Sequence, residues 1–251
     1  MKDTKRIDVN ADAGESFGRW PLGADVELAS LVSSINVACG WHAGDPATMT
    51  SSILLAKEHD LALGAHPGFP DLVGFGRRAM AFSPTEAAQA IVYQFGALRA
   101  LADAQGVPVR HVKPHGSLYG LLSRDDDVAD EVADTVAAVD PGLFLVLEAG
   151  HVAERQRSRG HRIVAEGFAD LEYTDEGRFI IDPTNSRRDP GWCADQAAAI
   201  LAGRVRSAGG VESSISAESI CLHSDRPGAA ENAVAVTSRI REQGYTIGVV
   251  E

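Results

Sequence analysis

The sequence predicts an α/β barrel of seven or eight parallel strands, on three observations. Strand-like and helix-like segments alternate along the chain, the pattern of a parallel sheet wrapped by helices. The chain has 251 residues, 45% of them hydrophobic, which suits one large α/β core. At least six of eight strand-like segments run into a polar, chemically capable residue. In a parallel barrel all strand C-termini open on one face, and active sites are built there. The alternative architecture is an open doubly wound sheet.

The elements follow in order. Ile7-Asp8-Val9-Asn10 leads into Asp12 and Glu15, and Ile35-Asn36-Val37-Ala38 leads into His42 and Asp45. Asp45-Pro46 offers an N-cap and a first-turn proline for a helix over 47–59. Leu61-Ala62-Leu63-Gly64 leads into His66. Ser83-Pro84-Thr85-Glu86 reads as a capping box opening a helix towards Gln105, and Gly106 supplies a left-handed stop. His111-Val112 leads into Lys113 and His115. A helix over 125–139 closes at Asp140-Pro141, and Phe144-Leu145-Val146-Leu147 leads into Glu148. A shorter helix over 152–159 ends at Gly160. Helices over 192–202 and 228–243 stop at Gly203 and Gly244, and Ser219-Ile220-Cys221-Leu222 between them leads into His223 and Asp225. No repeat or linker interrupts the pattern, so a single domain over 1–251 is expected. The longest irregular stretches, 64–81 and 167–191, have the size of functional lids or binding loops.

Composition narrows the function classes. Net charge is −12, from 23 basic and 35 acidic residues, and no basic stripe points to nucleic acid. Cys39, Cys193 and Cys221 are few and widely spaced, which predicts no disulfide framework and a reducing, cytoplasmic compartment. Met1 to Arg6 runs straight into the first strand without an apolar stretch, so no signal peptide is expected. No apolar run is long enough to span a bilayer, so no membrane partner is expected.

Four clusters carry chemistry. Asp12 and Glu15 flank Gly14 after the first strand; they could bind a metal, act as general base or orient water, or Asp12 could simply close a turn. His42 lies between glycines, as backbone near a ligand does, while Asp45 is by default the helix N-cap. His66 stands at a strand end, and the following Gly74-Phe75-Gly76-Arg77-Arg78 loop suits a carboxylate or phosphate. Lys113 and His111 point to one side of a strand, with His115 just beyond it. Burying a lysine is costly unless it is working or paired, here with Asp12 or Glu15. Asp12, His42, His66 and His115 together could hold one divalent metal, or could act as acids and bases without it. No Gly-x-x-x-x-Gly-Lys-Ser/Thr is present, which argues against a P-loop.

Six motifs together resemble the LamB/YcsF family: Asn10-Ala11-Asp12-x-Gly14-Glu15, the run from Asn36 to Asp45, Gly64-Ala65-His66-Pro67-Gly68-x-Pro70-Asp71, Gly74-Phe75-Gly76-Arg77, Tyr93-Gln94-x-Gly96-Ala97-Leu98, and His111-Val112-Lys113-Pro114-His115-Gly116-x-Leu118-Tyr119. The resemblance implies a distorted (β/α) barrel akin to glycoside hydrolases and deacetylases. It also implies ATP-dependent opening of the 5-oxoproline lactam to L-glutamate, with separate B and C subunits handling part of the work. On this basis Asp12, Glu15, His66, Lys113 and His115 are the expected catalytic residues. Lys113 would stabilise developing negative charge, and Asp12 or Glu15 would activate water. Asn10, His42, Gly74, Arg77, Tyr119 and His223 are the expected substrate-binding residues. Homo-oligomerisation stays open. The second half departs from the family pattern: Leu171 and Asp182 stand where two arginines are expected, and Ser224 stands where the family has glycine. Weaker affinity for 5-oxoproline is therefore expected unless Arg178, Arg187 or Arg188 compensates.

Overall fold

The computed structural model describes residues 5–181 and 185–251. In chain order the elements are β1 (Lys5–Ala13), α1 (Asp25–Ala29), β2 (Ser34–Ala38), α2 (Pro46–Glu58), β3 (Ala62–His66), α3 (Pro84–Ala104), β4 (Val109–Val112), α4 (Gly116–Leu122), α5 (Asp126–Val139), β5 (Phe144–Glu148), α6 (His151–Ser158), β6 (Ile163–Phe168), α7 (Pro190–Leu201), β7 (Arg204–Arg206), β8 (Glu212–Ser214), β9 (Ser219–Leu222), α8 (Ala229–Glu242) and β10 (Tyr245–Ile247). Seven strands, β1-β2-β3-β4-β5-β6-β9, pair in parallel, and β9 returns to β1. The sheet is thus a closed barrel, and the open doubly wound alternative is excluded. Outside it, β10 extends the start of β1, and β7 and β8 form an antiparallel ribbon. No helix among the described residues is long and apolar enough to cross a membrane.

Strand alternation divides β1 into two faces. Ile7, Val9, Ala11 and Ala13 join the apolar core under the helices. Asp8, Asn10 and Asp12 are buried in the lumen, where their polar atoms must find partners. Asn10 Nδ2 donates to Glu166 Oε1 and Ser219 Oγ, both at 2.7 Å. Asn36 Nδ2 donates to Asn10 Oδ1 at 2.7 Å and Asp12 Oδ1 at 2.9 Å. His111 Nε2 donates to Asn36 Oδ1 at 2.7 Å. The lumen is therefore a polar network rather than stacked aliphatic layers. Gly64 makes room for it, since a Cβ there would come within 2.0 Å of His111 Nε2.

The helix signals hold where caps carry them. Asp45 Oδ1 accepts from Ala47 and Thr48 N–H, and Ser83 with Glu86 forms the complete capping box of α3. Among the elements outside the expected pattern are β6 and α4. The strand β6 runs to Phe168, into the stretch expected to be irregular from 167. The short α4 begins on His115 without a side-chain cap, so no start signal precedes it.

Candidate active site

Five strand ends deliver their side chains to one mouth. Asp12 is the penultimate residue of β1, and Glu15 lies just past it. His42 comes from the β2–α2 loop, His66 ends β3, His115 follows β4 and His223 follows β9. Asp12, His66, Arg77, Lys113, His115, Tyr119 and His223 all line one pocket. Asn10 lies below it in the lumen, and Gly74 does not line it; Gly74 N–H donates to Asp71.

Three imidazoles meet there. His66 Nδ1 donates to the Lys113 carbonyl at 2.7 Å, and His115 Nε2 donates to the Phe75 carbonyl at 2.8 Å. These bonds fix both tautomers, so His66 Nε2 and His115 Nδ1 present lone pairs to each other at 3.0 Å. Two lone pairs that close repel unless a cation, a proton or a metal ion, lies between them. Asp12 Oδ2 is 3.3 Å from His66 Nε2. Glu15 Oε1 is 3.6 Å from both His115 Nδ1 and His42 Nε2. Ligands at about 2.0–2.1 Å around a tetrahedral ion lie about 3.3 Å from one another. Both oxygens of Glu15 and both nitrogens of His42 are buried with no hydrogen-bond partner among the described residues. Burial, helped by neighbouring imidazoles, keeps His42 and His115 well below the usual histidine range and so neutral, as metal ligation requires. Burial first, then Asp225 and Asp12, pushes the Glu15 carboxyl well up. The donor set Glu15, His42, His66 and His115, with Asp12 beside it, fits a divalent cation.

Lys113 lies on the pocket floor with every donor engaged. Its Nζ is 2.9 Å from Asp12 Oδ1, 3.1 Å from Asn10 Oδ1, 2.9 Å from Cys221 Sγ and 3.2 Å from Glu166 Oε1. The expected ion pair thus forms with Asp12 and Glu166, and Glu15 is not a partner. Burial opposes ionisation of Asp12, but His66 and Lys113 outweigh it and hold its carboxyl well below the usual range. Asp12 therefore stands as a carboxylate.

Across the pocket, His223 Nδ1 donates to Asp170 Oδ1 at 2.9 Å, and its backbone N–H donates to Asp170 Oδ2 at 2.9 Å. Burial alone would lower the imidazole; Asp170 overrides it and raises His223 above the usual value. His223 Nε2 lies 3.8 Å from Asp12 Oδ2. An ionised carboxylate and a proton-rich imidazole so face one small space.

The anion-binding loop differs from expectation. Arg77 pairs with Asp225 at 2.8 Å, and Arg78 pairs with Asp71. Arg77 still lines the pocket, as does Arg226, which pairs with Asp170 at 3.6 Å. Leu171 lines the wall beside Phe168 and Phe179, and Asp182 lies outside the described residues. Arg178, Arg187 and Arg188 do not line the pocket; Arg188 pairs with Glu172 and stacks on Trp192. Sequence reasoning missed Glu166, Asp170 and Arg226. A polar residue one position before Gly167 was the available signal for Glu166, and no local signal pointed to the other two.

The family profile for LamB/YcsF matches residues 7–251. The A subunit of 5-oxoprolinase from Thermus thermophilus is 44% identical over 251 residues, covering 96% of this chain and 98% of that protein. The crystal structure of the lactam utilization protein from the same organism superposes with a TM-score of 0.88 at 43% identity, covering 98% of this chain and all of that one. A deacetylase, T48, solved with substrate, shares the fold at a TM-score of 0.52 and 14% identity, covering 97% of this chain and 87% of that one. The matched span, the identity and the barrel agree, and the chain belongs to the LamB/YcsF family.

Proposed function

We propose that this chain is the A subunit of an ATP-dependent 5-oxoprolinase and that it carries the hydrolytic site, as one domain over 1–251, in the cytoplasm. The observation that supports this most is the pairing of ionised Asp12 with the Asp170–His223 dyad across one pocket. Asp12 takes a proton from the water that attacks the lactam carbonyl. His223 gives a proton to the ring nitrogen as the C–N bond breaks. Lys113 holds Asp12 charged and oriented. Arg77 and Arg226 supply positive potential for the substrate carboxylate. A divalent ion held by Glu15, His42, His66 and His115 would polarise a carbonyl or lower the pKa of water. A five-membered lactam is stable and recloses readily, so opening it is coupled to ATP. With no P-loop in the sequence, the B and C subunits share the handling of the nucleotide. Reconstitution tests this: glutamate release from 5-oxoproline should need ATP, this chain and both partners, and release without this chain contradicts it.

A second reading, a metal-dependent hydrolase of another amide, is favoured by the buried imidazole–carboxylate cluster. Metal analysis of the purified chain should give about one divalent ion per chain. His42→Ala should lower zinc affinity about tenfold or more in calorimetry. A metal-free protein with no measurable zinc binding leaves the proton as the cation between His66 and His115.

A further inference from the structure

We propose that this chain, alone and without ATP, hydrolyses cyclic imides, rings in which the amide nitrogen carries a second acyl group. The inference rests on the hydrolytic reading of the same pocket. The acid–base pair comes entirely from one chain: Asp12 and His223 line the pocket and stand 3.8 Å apart. What demands ATP is therefore the substrate rather than the site. A lactam carbonyl is a poor electrophile, and its nitrogen must leave as an amine. A second acyl group withdraws the nitrogen lone pair, so the carbonyl becomes electrophilic and the nitrogen leaves as a neutral amide after one protonation. Ring opening is then favourable without a nucleotide.

The walls suit an uncharged ring. Tyr119, Phe168 and Phe179 form an aromatic side, with centroids 5.4 Å apart for Tyr119–Phe179 and 4.8 Å for Phe168–Phe179. Leu171 and Ile181 add apolar surface. Arg77 and Arg226 are already paired with the buried carboxylates of Asp225 and Asp170. A neutral ring therefore leaves no cation uncompensated.

The step balances. The water oxygen bonds to one imide carbon while Asp12 takes a water proton. The C–N bond breaks and His223 gives its proton to the nitrogen. The product is an open chain with a carboxyl at one end and a primary amide at the other. Proton return from Asp12 to His223, through solvent or across the 3.8 Å between them, resets the pair.

The test uses the purified full chain with zinc and no ATP, on succinimide and glutarimide. Half-amide formation is followed by NMR, and oxygen-18 from labelled water should appear in the new carboxyl. We expect saturable opening that falls about a hundredfold in His223→Ala. His223→Asn, whose amide nitrogen takes the place of Nδ1 and can still bond Asp170, should match that loss at an unchanged melting temperature. Glutarimide should also inhibit glutamate release competitively in the three-protein complex. A preparation that releases glutamate with ATP and both partners, yet leaves both imides at the buffer rate, overturns the inference and spares the 5-oxoprolinase reading. Opening that is indifferent to both His223 variants overturns it too. Opening by a chain that supports no glutamate release sustains the inference and removes the 5-oxoprolinase reading.

Discussion

Lys113 binds four lumen acceptors, two of them carboxylates, and this sets the consequence of its loss. Lys113→Met keeps most of the aliphatic stem and leaves Asp12 and Glu166 facing each other unpaired. Breaking a buried pair in this way costs about 3–5 kcal/mol. The variant should therefore lose both stability in urea unfolding and glutamate release, and full stability with lost turnover would contradict the pairing role. Asp170→Asn should act through His223. Without the carboxylate the imidazole pKa falls, visible as a shift in its NMR titration, and turnover drops about tenfold or more. An unmoved titration would remove Asp170 from the account. Asp12, His66, Lys113 and His115 were legible because each ends a strand, and strand ends converge. Glu166 and Asp170 were not, because their partners lie 53 residues away or more along the chain, and only barrel closure brings them together: Lys113 to Glu166, and Asp170 to His223.

Elements were legible where backbone chemistry marks their ends. Asp45 and Ser83 cap α2 and α3 as their sequences indicate, whereas α4 starts on His115 with no side-chain cap and left no trace. Contacts between the outer helices were not legible. Between α5 and α6, Arg155 Nε and Nη2 donate to Asp130 Oδ1 and Oδ2 at 2.9 and 2.7 Å, and Gln156 Nε2 donates to Oδ1 at 2.7 Å. Arg155 first, with Gln156 and Arg159, outweighs slight desolvation and brings Asp130 to a pKa of about 2. A depressed folded pKa stabilises above the unfolded value, near 3.9, and that stabilisation disappears as pH falls through about 2. The pair is partly exposed, so Asp130→Asn should cost only about 1 kcal/mol at pH 7. In thermal melts the gap to the parent should narrow between about pH 4 and pH 2, and a pH-independent gap would assign the effect to packing instead.

At the scale of the whole molecule, closure of β9 onto β1 makes the site. It seals a polar lumen beneath Asp12 and Lys113 and places His223 opposite Asp12. The alternation of strands and helices foretold a parallel sheet, and the polar strand ends foretold its working face. The ring, expected to have seven or eight strands, has seven, and β10 pairs outside it on the start of β1. The central claim is that lactam hydrolysis happens at this mouth, and one measurement bears on it most directly. Glutamate release from 5-oxoproline is followed with ATP and the B and C proteins proposed as partners, comparing the parent with Asp12→Asn and His223→Ala. The account predicts that each variant, still folded and still bound to its partners, lowers release by about a hundredfold or more. Release at the parental rate from either folded variant would contradict it.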